Sequence, residues 1–344
     1  MKIDFLIIGQ GISGTVLAKT IEDSSLSYFV IDSNKKITSS KVAAGIMQPI
    51  SFKRCILTWR GEEFFNYSKS FYEKFNNLLK SNHFKPIKLV RIFSSFEEQN
   101  NWMGKSSLRI YHKHLGTSDY SFKNIITKYG CSDVKTANHL KVEKFLNSSK
   151  LYFKEKKRFT EDFLHYNKVF KVDNRFVYKD ISAKYIIMCQ GVNVNKNNVF
   201  NYLPIIPNKG ELIDIQSSHL PRVMLSKGVF NLPIEKNKYT LGATYNHRDL
   251  SKKITESAKN QLLNNFKKIT STNDFKIISH KYGFRPTTID RKPIIGEHPE
   301  IKNLYIFNGM GSKAVLMAPL LAKELIDFIV YKKNINPKVT IKRF

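Results

Sequence analysis

Apolar runs and amphipathic segments alternate along the first third of the chain. Residues 5–8 form an unbroken apolar run, which predicts a strand buried on both faces of a parallel sheet. A helical segment follows it, and a second apolar run stops at Asp32. Residues 58–80 carry phenylalanine and leucine near helical spacing, which predicts an amphipathic helix. This order of elements is typical of an α/β protein.

The rest of the chain alternates between strand signals and two further helical segments before a last strand and helix. We predict strands at 87–95, 161–166, 168–172, 175–179, 183–191, within 206–245 and at 303–309, and helices at 138–157, 254–269 and 313–331. Continuous apolar strands return in the middle and near the end, which predicts a discontinuous nucleotide-binding domain. We assign to it residues 1–83, 138–205 and 284–344, and to an inserted substrate domain residues 84–137 and 206–283.

The turn after the first strand has the spacing of a dinucleotide-binding motif. Gly9 permits the tight turn, Gly11 lets a pyrophosphate approach the backbone, and Gly14 lets the helix pack close to the sheet. Ile12 and Ser13 open the helix, whose free N–H groups attract phosphate. Asp32 ends the second strand, where a carboxylate accepts ribose hydroxyls and repels a 2′-phosphate, which disfavours NADP. The motif alone leaves NAD and FAD open.

The charge balance is strongly basic. Lysine and arginine number 57 against 28 acidic residues, a formal net charge of +29, and only eleven of the basic residues are arginine. A coding bias toward lysine explains part of the excess, although such a bias also favours acidic residues. A nucleic acid partner or an anionic membrane surface would explain the remainder. The sequence leaves these three explanations open.

Three cysteines, Cys55, Cys131 and Cys189, lie far apart and have neither metal-ligand nor disulfide spacing. We therefore expect no metal site and a reducing compartment. No run of eighteen apolar residues is present, so we expect no transmembrane helix. The first strand begins almost at Met1, which leaves no space for a signal peptide. These observations predict a cytoplasmic protein.

Four segments, in this order, resemble the D-amino-acid oxidase superfamily of FAD-dependent oxidoreductases, which includes glycine oxidase and sarcosine oxidase. They are the first turn, "SSKVAAGIMQP", "IIMCQG" and the closing stretch that begins with "YGFRPTTIDRKPIIG". The resemblance implies FAD rather than NAD. It also implies an α/β fold in which a Rossmann-like, glutathione-reductase-type FAD domain carries an inserted α+β substrate domain with an antiparallel sheet.

The final turn, "GMGSK", followed by "APL", looks more like that of the oxidase half of the bifunctional tRNA 5-methylaminomethyl-2-thiouridine enzyme. Lys313 stands where that family has arginine, Ala314 replaces a glycine, and the methyltransferase half is missing. Both kinds of relative act on an amine nitrogen attached to a CH₂ that bears a carboxylate. The substrate is thus either a free amine or amino acid, or a carboxymethylaminomethyl group on tRNA.

The resemblance also assigns roles to individual residues. Arg285 matches the arginine that binds the substrate carboxylate, and Lys313 would either add positive charge near the flavin or point to solvent. Asp290 matches a position that packs a loop near the flavin. A structural capping role is the alternative. The expected FAD-binding residues are Gly9, Gly11, Ile12, Ser13, Gly14, Asp32, Ser33, Ala43, Ala44, Gly45, Gly191, Gly309, Gly311, Ser312 and Lys313. Residues 33–51 contain no histidine and no cysteine follows Cys189, so we expect non-covalent FAD.

The expected reaction is hydride transfer to flavin from the carbon next to nitrogen, with dioxygen as the electron acceptor. Two other functions stay open on the sequence. One is a non-catalytic FAD-binding subunit of a larger complex. The other is a membrane-associated amino-acid dehydrogenase that passes electrons to quinone.

Overall fold

A computed structural model describes residues 1–33, 35 and 37–344. The strands are β1 (Lys2–Ile8), β2 (Tyr28–Asp32), β3 (Ile46–Met47), β4 (Ile50–Ser51), β5 (Ile56–Leu57), β6 (Phe84–Pro86), β7 (Leu89–Ile92), β8 (Cys131–Val134), β9 (Asn138–Leu140), β10 (Phe159–Glu161), β11 (Phe170–Val172), β12 (Arg175–Tyr178), β13 (Ile181–Met188), β14 (Ile205–Gln216), β15 (Met224–Lys227), β16 (Val229–Glu235), β17 (Lys238–Gly242), β18 (Lys276–Thr288), β19 (Ile294–Glu297) and β20 (Leu304–Asn308). The helices are α1 (Ile12–Asp23), α2 (Ser39–Val42), α3 (Gly61–Leu78), α4 (Phe96–Ser106), α5 (Arg109–His112), α6 (Val142–Glu155), α7 (Glu256–Phe266) and α8 (Ala314–Tyr331).

The first large sheet is mainly parallel. Strands β10, β2, β1, β13 and β20 run parallel side by side, and the antiparallel strands β11, β12 and β19 complete the sheet. Helices α1 and α8 cover one face, where α1 contributes Val16 and Leu17 and α8 contributes Leu321 and Leu325 to a single buried cluster. Leu6 and Ile186 of the same strands are buried in a second cluster. Burial on both faces explains why these strands are continuously apolar.

The second large sheet is mainly antiparallel, in the order β18-β14-β17-β16-β15-β7-β8, with β15 and β7 parallel. Strands β14 and β18 pair along almost their whole length. Helix α7 packs behind this sheet through Leu262 and Phe266. The predicted combination of a parallel sheet and an antiparallel sheet is confirmed, whereas the predicted domain boundaries stay a prediction.

Two predicted elements are wrong in extent. The helix predicted from residue 138 begins at Val142, because residues 138–140 form β9, which is buried between β3 and β6. The strand predicted at 161–166 lies earlier, at β10, because Phe159 and Thr160 pair with β2. Beyond Glu161 the chain leaves the sheet, and the Asp162 carboxylate accepts a hydrogen bond from the Tyr178 hydroxyl at 3.0 Å.

Three further observations concern the described residues as a whole. No helix among them combines the length and apolar character needed to cross a membrane. No group of three or more potential metal ligands comes together in the same residues. All three cysteines are free and buried, and burial is the main reason that their thiol pKa values are raised, to about 11 for Cys131.

Candidate functional site

One cavity of about 1250 Å³ lies where the carboxyl ends of the parallel strands face the second sheet. Gly9 after β1, Asp32 at the end of β2 and Cys189 after β13 form one wall, and β14 and β18 contribute Gly210 and Arg285 to another. Ligands of open α/β sheets bind at this edge of the parallel strands. The volume exceeds that of an ordinary drug-sized pocket, so a dinucleotide and a small substrate fit together.

The first turn has the geometry that its glycines predict. Gly9 has φ +105°, and a side chain at Gly14 would place its Cβ 1.8 Å from the Gly9 carbonyl oxygen. Helix α1 begins at Ile12 without a side-chain cap and with no acid in its first turn. The Ile12 N–H donates to the Ser40 hydroxyl at 3.2 Å, which ties the turn to α2. Gly11, Ile12 and Ser13 line the cavity, whereas Gly14 packs behind it.

Asp32 is held at the end of β2 by the turn itself, because its Oδ1 accepts a hydrogen bond from the Gln10 N–H at 2.9 Å. Its neighbour Ser33 also lines the cavity. Nearby, burial and repulsion from Lys196 and Lys252 lower the pKa of Lys35. All three lysines line the same end of the cavity, where an anion would relieve their repulsion.

The small-residue loop lines the middle of the cavity. Ala43, Ala44 and Gly45 all contribute to its wall. Gly45 has φ +72°, and a Cβ there would lie 1.8 Å from the Leu140 carbonyl oxygen. The glycine therefore lets the loop pack on β9, in addition to any approach to a ligand.

Two later glycine turns complete the wall. Gly191, with φ +56°, lines the cavity and accepts a hydrogen bond from the Asn308 amide at 2.9 Å. In the final turn Gly311, Ser312 and Lys313 line the cavity, whereas Gly309 lies outside its wall. The Gly311 N–H donates to the Pro286 carbonyl at 2.9 Å, so the final turn is attached to the strand that carries Arg285.

Arg285 projects from β18 into the cavity without an acidic partner. Its Nη1 donates to the Thr244 carbonyl at 3.1 Å and lies 3.5 Å from Asn208 Oδ1. The guanidinium lies 4.2 Å from the centre of the Tyr245 ring and directly against Gly210. Burial lowers its pKa, and no carboxylate of the described residues forms an ion pair with it. A half-buried cation in a cavity wall with only neutral partners favours an anionic ligand.

Asp290 does not line the cavity. Its Oδ1 accepts a hydrogen bond from the Lys292 N–H at 3.0 Å, and its Oδ2 pairs with Arg343 near the C-terminus. Arg343 also donates to the Pro293 carbonyl at 2.6 Å. The sequence left two roles open for Asp290, packing of a loop near the flavin and structural capping. These contacts fit structural capping.

Lys313 lies at the start of α8 and its side chain lines the cavity. Burial lowers the pKa of its amine to about 8. Within the described part of the chain, no acceptor forms a hydrogen bond or an ion pair with Nζ. Lys313 is thus part of the cavity wall, and added positive charge beside the flavin stays a prediction.

Sequence patterns did not single out several residues of the wall. Gln48, Phe52, Arg91, Ser226 and Phe230 line the part of the cavity formed by the second sheet and its loops. Arg91 is paired with Glu98 at 2.6 Å, so its charge is already compensated. These residues come from strands and loops without a motif, and only the fold brings them together.

A loop after β17 also reaches the cavity. Lys209 Nζ, which is buried, donates to Asp249 at 2.6 Å and to Ser251 at 3.0 Å. This anchor holds Leu250 and Lys252 in the cavity wall. Spacing along the chain gives no sign of this contact, because forty residues separate Lys209 from Asp249.

The residues present fit FAD. An uncapped helix N-terminus, the close turn at Gly9 and Gly11, and the lysines beside Asp32 suit a pyrophosphate and an adenosine ribose. The glycines and small residues of the 43–45 loop and the last turn leave space for a ring system between them. Arg285 lies in the same cavity, so a carboxylate substrate would share it with the cofactor.

The fold and the cavity define a flavoprotein of the oxidoreductase class, and the chain belongs to the DAO family of FAD-dependent oxidoreductases, whose family model matches residues 150–328. The predicted fold class, family and cofactor are confirmed. The individual site residues stay predictions.

Among curated proteins, glycine oxidase of Pseudomonas aeruginosa is 27% identical over 130 residues, which cover 37% of this chain and 36% of that protein. The tRNA 5-methylaminomethyl-2-thiouridine biosynthesis bifunctional protein MnmC of Idiomarina loihiensis is 28% identical over 155 residues, 42% of this chain and 25% of that protein. The match thus spans about a third of the length of the glycine oxidase and about a quarter of the length of MnmC.

Solved structures match along almost the whole chain. Iminodiacetate oxidase from Chelativorans sp. superposes with a TM-score of 0.80 at 15% identity and covers 98% of this chain and 99% of that chain. Glycine oxidase from Geobacillus kaustophilus gives a TM-score of 0.79 at 16% identity, with 97% and 96% covered. At this level of identity the likeness establishes the fold.

Proposed function

We propose that this protein oxidises the C–N bond of an amino acid or N-substituted glycine, with FAD bound non-covalently in the cavity. The observation that carries the proposal is Arg285, a half-buried cation of the cavity wall with only neutral protein partners among the described residues. A planar guanidinium is the group best suited to bind a carboxylate through two parallel hydrogen bonds. The glycine oxidase and iminodiacetate oxidase relatives support this class of substrate.

Each part of the cavity has a task in this proposal. The N-terminus of α1 and Asp32 hold the pyrophosphate and the ribose, and Arg285 orients the substrate by its carboxylate. FAD held there would supply the acceptor for a hydride equivalent from the carbon next to nitrogen, and the oxidised substrate would then hydrolyse in water. The N–H groups at the start of α8 favour negative charge in their vicinity. Dioxygen is the proposed electron acceptor.

Two substrates compete within this proposal. A free amine or amino acid corresponds to the glycine oxidase relatives, and a carboxymethylaminomethyl group on tRNA corresponds to the MnmC relatives. The net charge of +29 favours the tRNA substrate. The match covers only a quarter of MnmC, so the second substrate rests mainly on the charge.

The test is anaerobic reduction of the flavin, followed as loss of its visible absorbance. Glycine, sarcosine, a mixture of D-amino acids and carboxymethylaminomethyl-modified tRNA are offered separately. Reduction by tRNA alone identifies an RNA-modification enzyme, and reduction by a free amine identifies an amino-acid oxidase. Flavin that none of them reduces contradicts the proposal and favours a non-catalytic subunit. Reduced flavin that reoxidises with a quinone but not with dioxygen contradicts dioxygen as acceptor.

Arg285→Ala should weaken reduction by the identified substrate about a hundredfold while FAD stays bound, because a charge-assisted pair of hydrogen bonds is lost. Arg222→Ala, which changes an exposed arginine, is the matched control and should leave the rate unchanged. The measurement is the reduction rate divided by the dissociation constant. Equal kinetics in Arg285→Ala and wild type would show that Arg285 does not bind the substrate carboxylate.

A further inference from the structure

The amine of Lys313 has no task in the binding of the substrate carboxylate by Arg285. It lies in the wall next to the final turn, which the Gly311–Pro286 hydrogen bond attaches to the strand of Arg285. The Lys313 carbonyl accepts hydrogen bonds from the N–H groups of Leu316 and Met317, at 3.0 and 2.9 Å, so the backbone is fixed. Within the described residues, no acceptor occupies Nζ.

The surroundings of this amine favour its neutral form. Burial alone accounts for its lowered pKa of about 8, since no charged side chain contributes. The positive end of the α8 dipole acts in the same direction. The other ionisable side chains of the described cavity wall are Asp32, Lys35, Lys53, Arg91, Asp162, Lys196, Tyr245, Lys252, Tyr282 and Cys189.

These groups leave few alternatives for a proton acceptor. The wall formed by the described residues contains neither histidine nor glutamate. Asp32 is held by the Gln10 N–H at the nucleotide end, and Asp162 pairs with Lys179 at 2.7 Å. Arginine does not give up its proton near neutral pH. Lys35, Lys196 and Lys252 lie together at the nucleotide end of the cavity. The final turn attaches Lys313 to the strand of Arg285, so Lys313 is the amine placed to take a proton from a substrate bound there.

The proposed reaction requires such an acceptor. An alkylammonium has an ordinary pKa near ~10, so the substrate arrives protonated at neutral pH. A protonated nitrogen has no lone pair to assist departure of hydride from the neighbouring carbon. A general base is most effective when its pKa lies near the working pH.

We propose that Lys313 accepts the proton that the substrate ammonium loses once its carboxylate is held by Arg285. The N–H bond of the substrate breaks, its electron pair stays on the substrate nitrogen, and the proton forms a third N–H bond at Nζ. No oxidant or reductant takes part in this step. The inference rests on the proposed amine oxidation and adds the residue that prepares the amine for it.

Two variants separate proton transfer from charge. Lys313→Met removes the base, and Lys313→Arg keeps a positive charge but does not accept a proton. The measured quantity is the rate constant of flavin reduction divided by the dissociation constant of the amine, with sarcosine or whichever amine reduces the wild type. At pH 7 this ratio should fall about a hundredfold or more in both variants. The loss should shrink toward pH 10, where about half of the free substrate is already neutral. Lys323→Met, an exposed lysine of the same helix, is the control and should match wild type.

A second readout does not depend on turnover. Competitive labelling with acetic anhydride, followed by peptide mass spectrometry, measures the fraction of neutral amine at Lys313 and Lys323 as pH rises. Lys313 should label with a midpoint near pH 8. Acetate binding, seen as a change in flavin absorbance, should persist in Lys313→Met and so establish that the cavity is intact.

The outcomes are distinct. A labelling midpoint equal to that of Lys323, full activity in Lys313→Arg, or a pH-independent defect each overturns the inference while the amine oxidation stands. A wild type that no amine reduces overturns both the proposed function and this inference.

Discussion

At the residue scale, the sequence was most informative where one residue type is required by backbone geometry. Gly9 and Gly14 could be predicted because only a residue without a side chain fits the turn and the contact behind it. Arg285 and Lys313 came from family resemblance, and their burial without acidic partners became visible only in the folded chain. Residues such as Phe52 and Ser226 have no pattern around them, because their position depends on distant strands.

Gly14→Ala should reduce both stability and FAD retention. Its Cβ would lie 1.8 Å from a backbone oxygen that cannot rotate away, so the helix must shift at a cost of about 1–3 kcal/mol. Gly104→Ala is the matched control, because Gly104 lies in α4 with no atom within 4 Å of the added Cβ. That variant should gain about 0.5–1 kcal/mol. The ratio of flavin to protein absorbance and urea unfolding measure both effects, and full FAD occupancy in Gly14→Ala would contradict this account.

At the element scale, long periodic helices and continuous apolar strands could be predicted, and elements stabilised by distant contacts could not. Helices α3 and α8 lie within two or three residues of their predicted ends. Strand β9 was read as helix because its pairing with β3 and β6 overrides local pattern. Helix α4 was missed although Ser95 and Glu98 have the spacing of a capping box, and Ser95 does cap the helix.

Thr255→Ala should destabilise the protein more than Ser95→Ala. Both hydroxyls cap a helix, α7 and α4, and loss of a cap costs about 1 kcal/mol. The Thr255 hydroxyl also donates to buried Glu211 at 2.9 Å. Its removal takes one hydrogen bond from that carboxylate and should lower the free energy of unfolding by about a further 1–3 kcal/mol. Urea midpoints of the two variants provide the comparison, and equal midpoints would show that the second bond contributes nothing.

Asp214 joins three strands of the second sheet and gives it a pH dependence. Burial raises its pKa, but hydrogen bonds from Lys281, Ser279 and Thr240 outweigh this and hold the pKa below its ordinary value. The ionised carboxylate therefore stabilises the fold above the unfolded pKa of ~3.9, and this stability is lost as pH falls through the lower folded pKa. Asp214→Asn should destabilise at pH 7, and its difference from wild type should narrow at acid pH. A difference that stays constant from pH 7 to pH 3 would argue against this linkage.

At the scale of the whole molecule, the cavity has walls from both large sheets, so ligand binding should stabilise them together. The overall architecture could be predicted because four motifs occur in one order along the chain, whereas the loop anchored by Lys209 and Asp249 could not. The distribution of the +29 charge over the surface likewise depends on folding rather than on sequence order.

FAD should raise the melting temperature in proportion to the logarithm of its concentration. A ligand at a hundred times its dissociation constant adds about 2.7 kcal/mol when it binds only the folded state. FMN, which lacks the adenosine half, should raise the temperature less, because it does not reach Asp32. Thermal scans of protein freed of FAD measure both shifts. Equal shifts with FMN and FAD would show that the Asp32 end of the cavity does not bind the nucleotide.

The burial of all three cysteines has a practical consequence for following motion around the cavity. Their raised pKa values keep the thiols protonated, and reagents reach them poorly inside the core. A cysteine introduced at Leu250, which is exposed and borders the cavity, would then be a single attachment point for a fluorescent dye. The three native cysteines would stay unlabelled. The dye at position 250 would report whether the loop held by Lys209 opens as nucleotide binds.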